Sequence, residues 1–209
     1  MITSQLPWLK EKETLVCFGD SLTAAVDGYV KILTGRLGAQ GHKVIGSGRG
    51  GDKTPWALTR LQTAVIDHKP DAVSIFLGTN DSAIGHGKWA DEPKVTPETY
   101  RYNLMWIIYL CQKEGIKKFS ITPPLYRFEG ESYAMHGDVM GPYCLAAREA
   151  ADEMGALFVP ADIVFAEEWA RHPGHTGLLL TTDGVHLTNK GNQMVADAML
   201  KAWGMDKVV

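Results

Sequence analysis

Short apolar runs alternate with longer amphipathic stretches along this chain, and that alternation is what most constrains its fold. The short runs predict strands at residues 14–19, 43–47, 72–77, 117–122 and 156–160. Strands that alternate with helices are typical of a parallel sheet covered on both faces. The sequence therefore predicts a three-layer α/β/α sandwich around a five-stranded parallel sheet, with the flavodoxin-like strand order 2-1-3-4-5.

The amphipathic stretches predict helices at residues 25–39, 55–67, 97–114, 138–154 and 188–203. Two of them open with a threonine followed by proline, which places a capping hydroxyl before a proline at the first helical position. The chain has 209 residues, with no repeat and no stretch rich enough in Pro, Gly and Ser to act as a linker. Residues 1–209 are therefore expected to form a single domain.

Charge and composition exclude several classes of function. The formal net charge is −3, and no Lys/Arg cluster is longer than Lys117-Lys118, so no nucleic-acid partner is expected. No apolar run approaches the roughly 20 residues that span a bilayer, and the first residues lack the order of a secretory signal. We expect a cytoplasmic protein without a membrane span. Cys17, Cys111 and Cys144 lie in apolar stretches, which favours buried free thiols.

Three polar, glycine-rich turns follow the first three predicted strands, at residues 19–23, 48–52 and 78–81. In such a sheet, ligands bind beyond the carboxyl ends of the strands, so these turns are expected to share one edge. Ser21 lies between a strand and a helix, where the helix N-terminus favours a developing negative charge. A serine in this position can also be only the helix N-cap.

A nucleophilic serine needs a base within hydrogen-bond reach, and that base needs an acceptor that orients it. Of the seven histidines, His186 has a carboxylate, Asp183, three positions earlier in a glycine-containing turn. This segment can also be an ordinary Asp-Gly turn before a helix. His42 and His68 are expected to be solvated at the opposite edge of the sheet.

The remaining histidines lie in predicted long loops, without a carboxylate placed by a short turn. His172 and His175, together with Asp183 and His186, could suggest zinc, but such loop imidazoles are more often surface residues. No metal is therefore expected.

Acyl transfer also requires donors aimed at the oxyanion. Gly51 can present a backbone N–H, and Asn80 carries a side-chain amide in the turn after the third strand. The glycine-rich loop could instead hold phosphate, and Asn80-Asp81 could be an Asx turn. One candidate group at each strand end, in the order Ser, Gly, Asn and Asp/His, is nevertheless an unusual combination.

The segments FGDSLT, GRGGD, GTND and DGVHL resemble the four blocks of the SGNH hydrolases, also called the GDSL esterase/lipase family. The resemblance implies that Ser21 is the nucleophile, His186 the base and Asp183 its orienting acid. It also implies an oxyanion hole formed by the backbone N–H groups of Ser21 and Gly51 and the amide of Asn80. The blocks extend over roughly residues 14 to 200, and no cofactor is implied.

The sequence thus predicts a serine esterase that acts through an acyl-enzyme on small soluble esters of short to medium acyl length. A carbohydrate O-deacetylase and an acyl thioesterase stay open as alternatives on the same site. A non-catalytic flavodoxin-like module that binds a nucleotide or phosphate is the alternative from another class. Trp89, Tyr126, Phe128 and Tyr133, in the predicted loops 82–96 and 123–137, could form a substrate platform, a lid or a contact within a homo-oligomer.

Overall fold

The computed structural model describes residues 7–82, 91 and 93–206, and its centre is a five-stranded parallel sheet. The strands are β1 (Thr14–Gly19), β2 (Lys43–Gly48), β3 (Ala72–Phe76), β4 (Lys118–Thr122) and β5 (Leu157–Phe158). Their order across the sheet is β2-β1-β3-β4-β5. The predicted fold class and strand order are confirmed, with the last strand shorter than the sequence indicated.

Helices cover both faces of the sheet. They are α1 (Ser21–Ala24), α2 (Tyr29–Gly38), α3 (Thr54–Thr59), α4 (Leu61–Ala64), α5 (Pro97–Lys113), α6 (Gly130–His136), α7 (Gly141–Met154), α8 (Ala161–Ala170) and α9 (Asn189–Ala202), with a 3₁₀ turn at Ile66–His68. None of the helices in the described ranges is long and apolar enough to cross a membrane.

Several predicted helix boundaries are wrong. The stretch 25–39 is helical only from Tyr29, because Ala25 is extended and starts a turn closed by the Gly28 N–H. The stretch 55–67 is broken at Arg60, whose guanidinium reaches back to the ends of β1 and β2. Helix α6 lies where an irregular loop was expected. The sequence did not predict helix α8, because its apolar residues lie on too many sides of the helix to form one apolar face.

The core has two parts, one on each face of the sheet. On β1, Val16 and Phe18 pack with helices α3, α5 and α7, whereas Leu15 and Cys17 pack with α2, α8 and α9. This alternation buries the strand on both faces, as a parallel sheet requires. Cys17, Cys111 and Cys144 are all buried free thiols, as predicted. The single-domain organisation over residues 1–209 stays a prediction.

Two glycines bring the first helix down onto the strand ends. A Cβ on Gly48 would lie 2.2 Å from the backbone nitrogen of Ala24, and one on Gly19 would lie 2.0 Å from Oγ1 of Thr23. Any other residue at these positions would push α1 away from the sheet. Glycine is thus what lets the segment that begins with Ser21 lie against the carboxyl ends of β1 and β2.

Candidate active site

Ser21, His186 and Asp183 form a continuous hydrogen-bonded chain at the carboxyl edge of the sheet. The Nε2 atom of His186 lies 3.1 Å from the Ser21 hydroxyl, and its Nδ1 atom lies 2.7 Å from Oδ2 of Asp183. The two side chains are 52% and 53% exposed, for His186 and Asp183 respectively. A hydroxyl, an imidazole and a carboxylate in this order can activate the hydroxyl as a nucleophile.

The loop that carries Asp183 and His186 is a small hairpin, residues 181–187. An isolated antiparallel bridge joins Thr181 to Leu187, and the Thr182 N–H donates to the His186 carbonyl at 2.7 Å. The Asp-Gly turn at its tip is therefore present, and the same aspartate also contacts the imidazole. The Asp-Gly turn and the Asp183–His186 contact thus occur in the same segment.

Hydrogen bonds keep Asp183 ionised. Partial burial alone would raise its pKa, but the His186 ring and the backbone N–H groups of His186 and Val185 together lower it below the usual range. The two backbone N–H groups donate to Oδ1 at 2.7 and 2.9 Å, which leaves Oδ2 for the imidazole. A carboxylate held in this way fixes both the orientation and the tautomer of the ring.

Ser21 is the first residue of α1, and Asp20 is the residue that caps this helix. Oδ1 of Asp20 accepts from the Leu22 N–H at 2.9 Å. The alternative reading of Ser21 as the N-cap is therefore wrong. Within the described part of the chain, the Ser21 N–H has no acceptor, so it is available to a bound group.

Gly51 and Asn80 lie at the ends of the neighbouring strands. Gly51 adopts φ +76° in a turn closed by the Asp52 N–H on the Arg49 carbonyl, and its own N–H has no acceptor among residues 7–82, 91 and 93–206. The Asn80 amide donates to the Asp52 carbonyl at 3.1 Å and faces Oδ2 of Asp20 at 3.4 Å. This longer contact leaves one amide hydrogen that a closer anionic acceptor can take.

Three carboxylates are almost completely buried beneath the carboxyl edge of the sheet. They belong to Asp20, Asp52 and Asp81, and we call them the floor carboxylates. Arg60 binds Asp52 at 2.5 Å, and Thr54 binds Asp81 through both its N–H and its hydroxyl. Burial raises the pKa of Asp20 to about 7 and that of Asp81 to about 6. Burial is the largest cause for Asp20, and the charges of Asp81 and Asp52 also contribute to its raised pKa.

A model of the GDSL-like Lipase/Acylhydrolase family matches residues 17–194. The chain belongs to this family. The match starts within β1 and ends within α9, so it includes the end of β1, the other four strands and every residue of the hydrogen-bonded chain described above. Membership places the protein among the hydrolases of carboxylic esters.

Relatives of this GDSL-family chain include an acetylxylan esterase of Geobacillus stearothermophilus, 28% identical over 94% of this chain and 96% of that protein. A crystal structure of a catalytic mutant of this esterase matches with a TM-score of 0.83 at 25% identity, covering 96% and 98% of the two chains. An uncharacterized lipoprotein of Bacillus subtilis is 35% identical, over 53% of this chain and about half (48%) of that protein. The cytoplasmic location stays a prediction.

The other histidines of this GDSL-family chain have different surroundings. Nδ1 of His172 lies 2.9 Å from the Glu168 carbonyl, and the His175 ring packs against Trp169. His42 is buried, with 8% exposure, so the expectation that it is solvated was wrong; it lies where the chain turns from α2 into β2. His86 and Trp89 lie outside the described residues. Within the described ranges, no three His, Cys, Asp or Glu side chains form a group that could hold a metal.

Arg60 is a residue of the site that the sequence did not reveal. Its guanidinium donates to the Gly19 carbonyl at 2.9 Å and to the Ser47 carbonyl at 3.2 Å, and it lies over the Phe18 ring. It therefore ties the ends of β1 and β2 together beside Asp52. Nothing in the local pattern marks an arginine that ends a short helix, so only its long-range contacts identify it.

Proposed function

We propose that this chain is a serine esterase that hydrolyses small soluble esters of short to medium acyl length through an acyl-enzyme on Ser21. The observation that carries the proposal is the hydrogen-bonded chain from Asp183 through His186 to the Ser21 hydroxyl. Family membership supports ester hydrolysis as the class of reaction. The non-catalytic nucleotide-binding alternative gives no reason for an imidazole to meet this serine.

In the proposed cycle, His186 takes the proton of the Ser21 hydroxyl as Oγ attacks the ester carbonyl. The tetrahedral oxyanion accepts hydrogen bonds from the N–H groups of Ser21 and Gly51 and from the Asn80 amide. His186 then gives its proton to the leaving alcohol, which departs as the acyl-enzyme forms. A water molecule, deprotonated by the same imidazole, hydrolyses the acyl-enzyme and releases the acid.

Acetylated carbohydrate is the second candidate substrate, and the resemblance to the Geobacillus esterase favours it. Solved structures of that protein include catalytic mutants in which a serine, an aspartate or a histidine is replaced by alanine. The aspartate and the histidine are three positions apart there, as Asp183 and His186 are here. The half-buried ring of Phe128 contacts the rings of Tyr126 and Tyr133, and these aromatic side chains offer a surface for a sugar.

A fluorophosphonate probe tests the nucleophile directly, because only an activated serine reacts with it quickly. We expect a single labelled site in the wild type and none in Ser21→Ala, which should also lose hydrolysis of p-nitrophenyl acetate. Ser47→Ala is the matched control, since Ser47 lies one residue before the end of the neighbouring strand but its hydroxyl faces Arg60. Labelling that survives in Ser21→Ala would refute the proposal.

A substrate panel separates the candidates. Acetyl to hexanoyl p-nitrophenyl esters should be preferred, in kcat/KM, over esters of dodecanoate or longer acids, because the sequence offers no long apolar loop to form an acyl groove. Acetylated xylo-oligosaccharides and acyl-CoA thioesters belong in the same assay. A preference for the long-chain esters would overturn the acyl length proposed here, and a preference for the thioesters would overturn the ester assignment.

A further inference from the structure

Two buried residues of opposite charge, Arg127 and Glu129, lie in the segment between β4 and α6. They are only 7% and 5% exposed, and a single residue, Phe128, separates them. Neither belongs to the motifs that point to the catalytic groups. Burying a charge is unfavourable unless hydrogen bonds compensate for it, so their partners show what they stabilise.

The partners of Glu129 are the backbone N–H groups of Leu179, Leu180 and Thr181, which lead into the hairpin 181–187. All three donate to the carboxylate, at 2.5, 3.1 and 2.5 Å respectively. Hydrogen bonds from N–H groups to a carboxylate are stronger than those between neutral groups. The Thr181 hydroxyl in turn accepts from the Gly184 N–H at 2.8 Å, so the tip of the hairpin is held through the same residue.

Backbone packing strengthens this connection. A Cβ on Gly130, which has φ +83°, would lie 2.5 Å from the Cα of Gly184. The segment that follows Glu129 therefore lies directly against the turn between Asp183 and His186. A displacement of Thr181 would move the hairpin, and with it the carboxylate and the imidazole.

Arg127 connects the same segment to the turn that carries Asn80. Its Nη2 atom donates to the Thr79 carbonyl at 3.1 Å, and its backbone N–H donates to Asp138 at 3.2 Å. Oδ1 of Asp138 also accepts from the Met140 N–H, at the start of α7. Arg127 thus fixes the residue that precedes Asn80 to a stable helix end.

Arg127 and Glu129 also line one narrow cavity of about 20 Å³, together with Leu22, Thr79 and Val185. Leu22, Thr79 and Val185 are adjacent in sequence to Ser21, Asn80 and His186, respectively. A cavity of that volume has room for about one water molecule. Arg127 and Glu129 therefore share this cavity with residues next in sequence to three proposed catalytic residues.

We propose that Arg127 and Glu129 are positioning residues, which fix the Asn80 turn and the Asp183–His186 hairpin relative to each other. The inference rests on the proposed function, because it concerns the geometry of that reaction. A displacement of a catalytic group by about 1 Å can cost on the order of a hundredfold in rate. A connection between the two loops would hold the oxyanion donor and the base within that tolerance.

Glu129→Gln tests one half of the proposal, because an amide nitrogen cannot accept from the hairpin N–H groups. We expect kcat for p-nitrophenyl acetate to fall by about tenfold to a hundredfold, with KM changed by less than about twofold. Activity is expected to rise with pH as the imidazole loses its proton. This ascending limb of the pH profile should move to lower pH, since a displaced Asp183 stabilises the imidazolium less. A purely structural role would lower the melting temperature without moving that limb.

Arg127→Lys tests the other half, because lysine keeps the charge but loses the planar donor group. We expect kcat to fall by about tenfold while the ascending limb stays in place.

Glu13→Gln is the matched control. Glu13 also holds a cation, Lys118, and a backbone N–H, that of Lys10, but it lies at the opposite edge of the sheet. This control should lower the melting temperature only.

Ser21→Ala, assayed in parallel, separates this inference from the proposed function. If Ser21→Ala loses activity while Glu129→Gln and Arg127→Lys match the control in kcat and pH profile, the positioning role is wrong and the proposed function stands. Activity retained in Ser21→Ala would overturn both. If Glu129→Gln does not fold, Glu129→Asp decides: a wild-type pH profile would refute the role, and a lower kcat with a shifted limb would support it.

Discussion

Asp183 and Asp20 both lie close enough to His186 to respond to its charge, yet their pKa values move in opposite directions. Asp183 is half exposed and accepts from the imidazole and from two backbone N–H groups, which lower its pKa. Asp20 is buried, with the Leu22 N–H as its close donor, and burial raises its pKa to about 7. Exposure together with the number of donors decides which carboxylate stays ionised.

The same contrast separates two regions of the site. The Asp183 and His186 side chains of the hairpin 181–187 are about half exposed, so the proposed acid and base can exchange protons with solvent and substrate. The floor carboxylates are buried, and two of them hold backbone N–H groups: Asp20 caps the helix that starts with Ser21, and Asp81 accepts from the Thr54 N–H. Under our proposal, proton transfer belongs to the hairpin and oxyanion binding to the turns above the floor.

Asp183→Asn should have a large effect, between that of removing His186 and that of removing Asn80, because the imidazole stays but loses the acceptor that fixes its tautomer. We expect kcat for p-nitrophenyl acetate to fall by about 10⁴-fold, as in other enzymes with this arrangement. Steady-state kinetics with the purified variant measures it. A loss of less than about tenfold would show that Asp183 does not orient the base, and the contrast with Asp20 would lose its functional meaning.

Asn80→Ala should have a smaller effect of another kind. Removing one oxyanion donor costs on the order of 10²–10³ in kcat, or about 3–4 kcal/mol. The ascending limb of the pH profile should stay where it is, because the base is untouched. A pH profile of kcat/KM checks both points, and a shifted limb would mean that the turn and the hairpin are not separate functional regions.

Sequence patterns predicted the part of the site that lies at the strand ends. A strand followed by a glycine-rich turn places Ser21, Gly51 and Asn80 at one edge, because parallel strands end on the same side of a sheet. The Asp183–His186 pair could be predicted because both residues share one short turn. The structure brings this pair to Ser21 across 165 positions of sequence.

Other parts could not be predicted, for physical reasons. Arg60, Arg127 and Glu129 bind backbone groups far along the chain, and backbone groups leave no mark in the sequence of side chains. Helix α8 is too apolar to show the stripe that identifies a surface helix. The break between α3 and α4 falls at Arg60, whose guanidinium contacts the ends of β1 and β2, and such a tertiary contact can override local helix propensity.

Asp20→Asn should change how stability depends on pH. The pKa of Asp20 rises from 3.8 to about 7 in the folded protein, so the folded state binds this proton more tightly than the unfolded state. Its stabilising contribution is complete below about pH 4 and is lost as the pH rises through about 7, at no more than about 1.4 kcal/mol per pH unit. Asn cannot titrate, so the variant should show a flatter decline.

Melting temperatures of the wild type and of Asp20→Asn between pH 4 and 8 measure this effect. Asp81→Asn is the matched control, because its pKa is raised only to about 6 and its contribution is lost at lower pH. Asp183 acts in the opposite sense: its lowered pKa stabilises the fold above about pH 4, and that contribution is lost as the pH falls further. Equal pH dependence in the wild type and Asp20→Asn would contradict the contrast between the two carboxylates.

His172→Ala should have the smallest effect, because its ring contacts the backbone of α8 and lies outside the hairpin. Surface substitutions of this kind change stability by less than about 0.5 kcal/mol. We therefore expect an unchanged kcat and an unchanged ascending limb in His172→Ala. His186→Ala should lose both the limb and most of the activity, since only a neutral imidazole can accept the Ser21 proton. Both variants are assayed with p-nitrophenyl acetate over the same pH range. If the limb disappeared in His172→Ala and persisted in His186→Ala, the base would lie just beyond the end of α8, and the hairpin would be a structural turn.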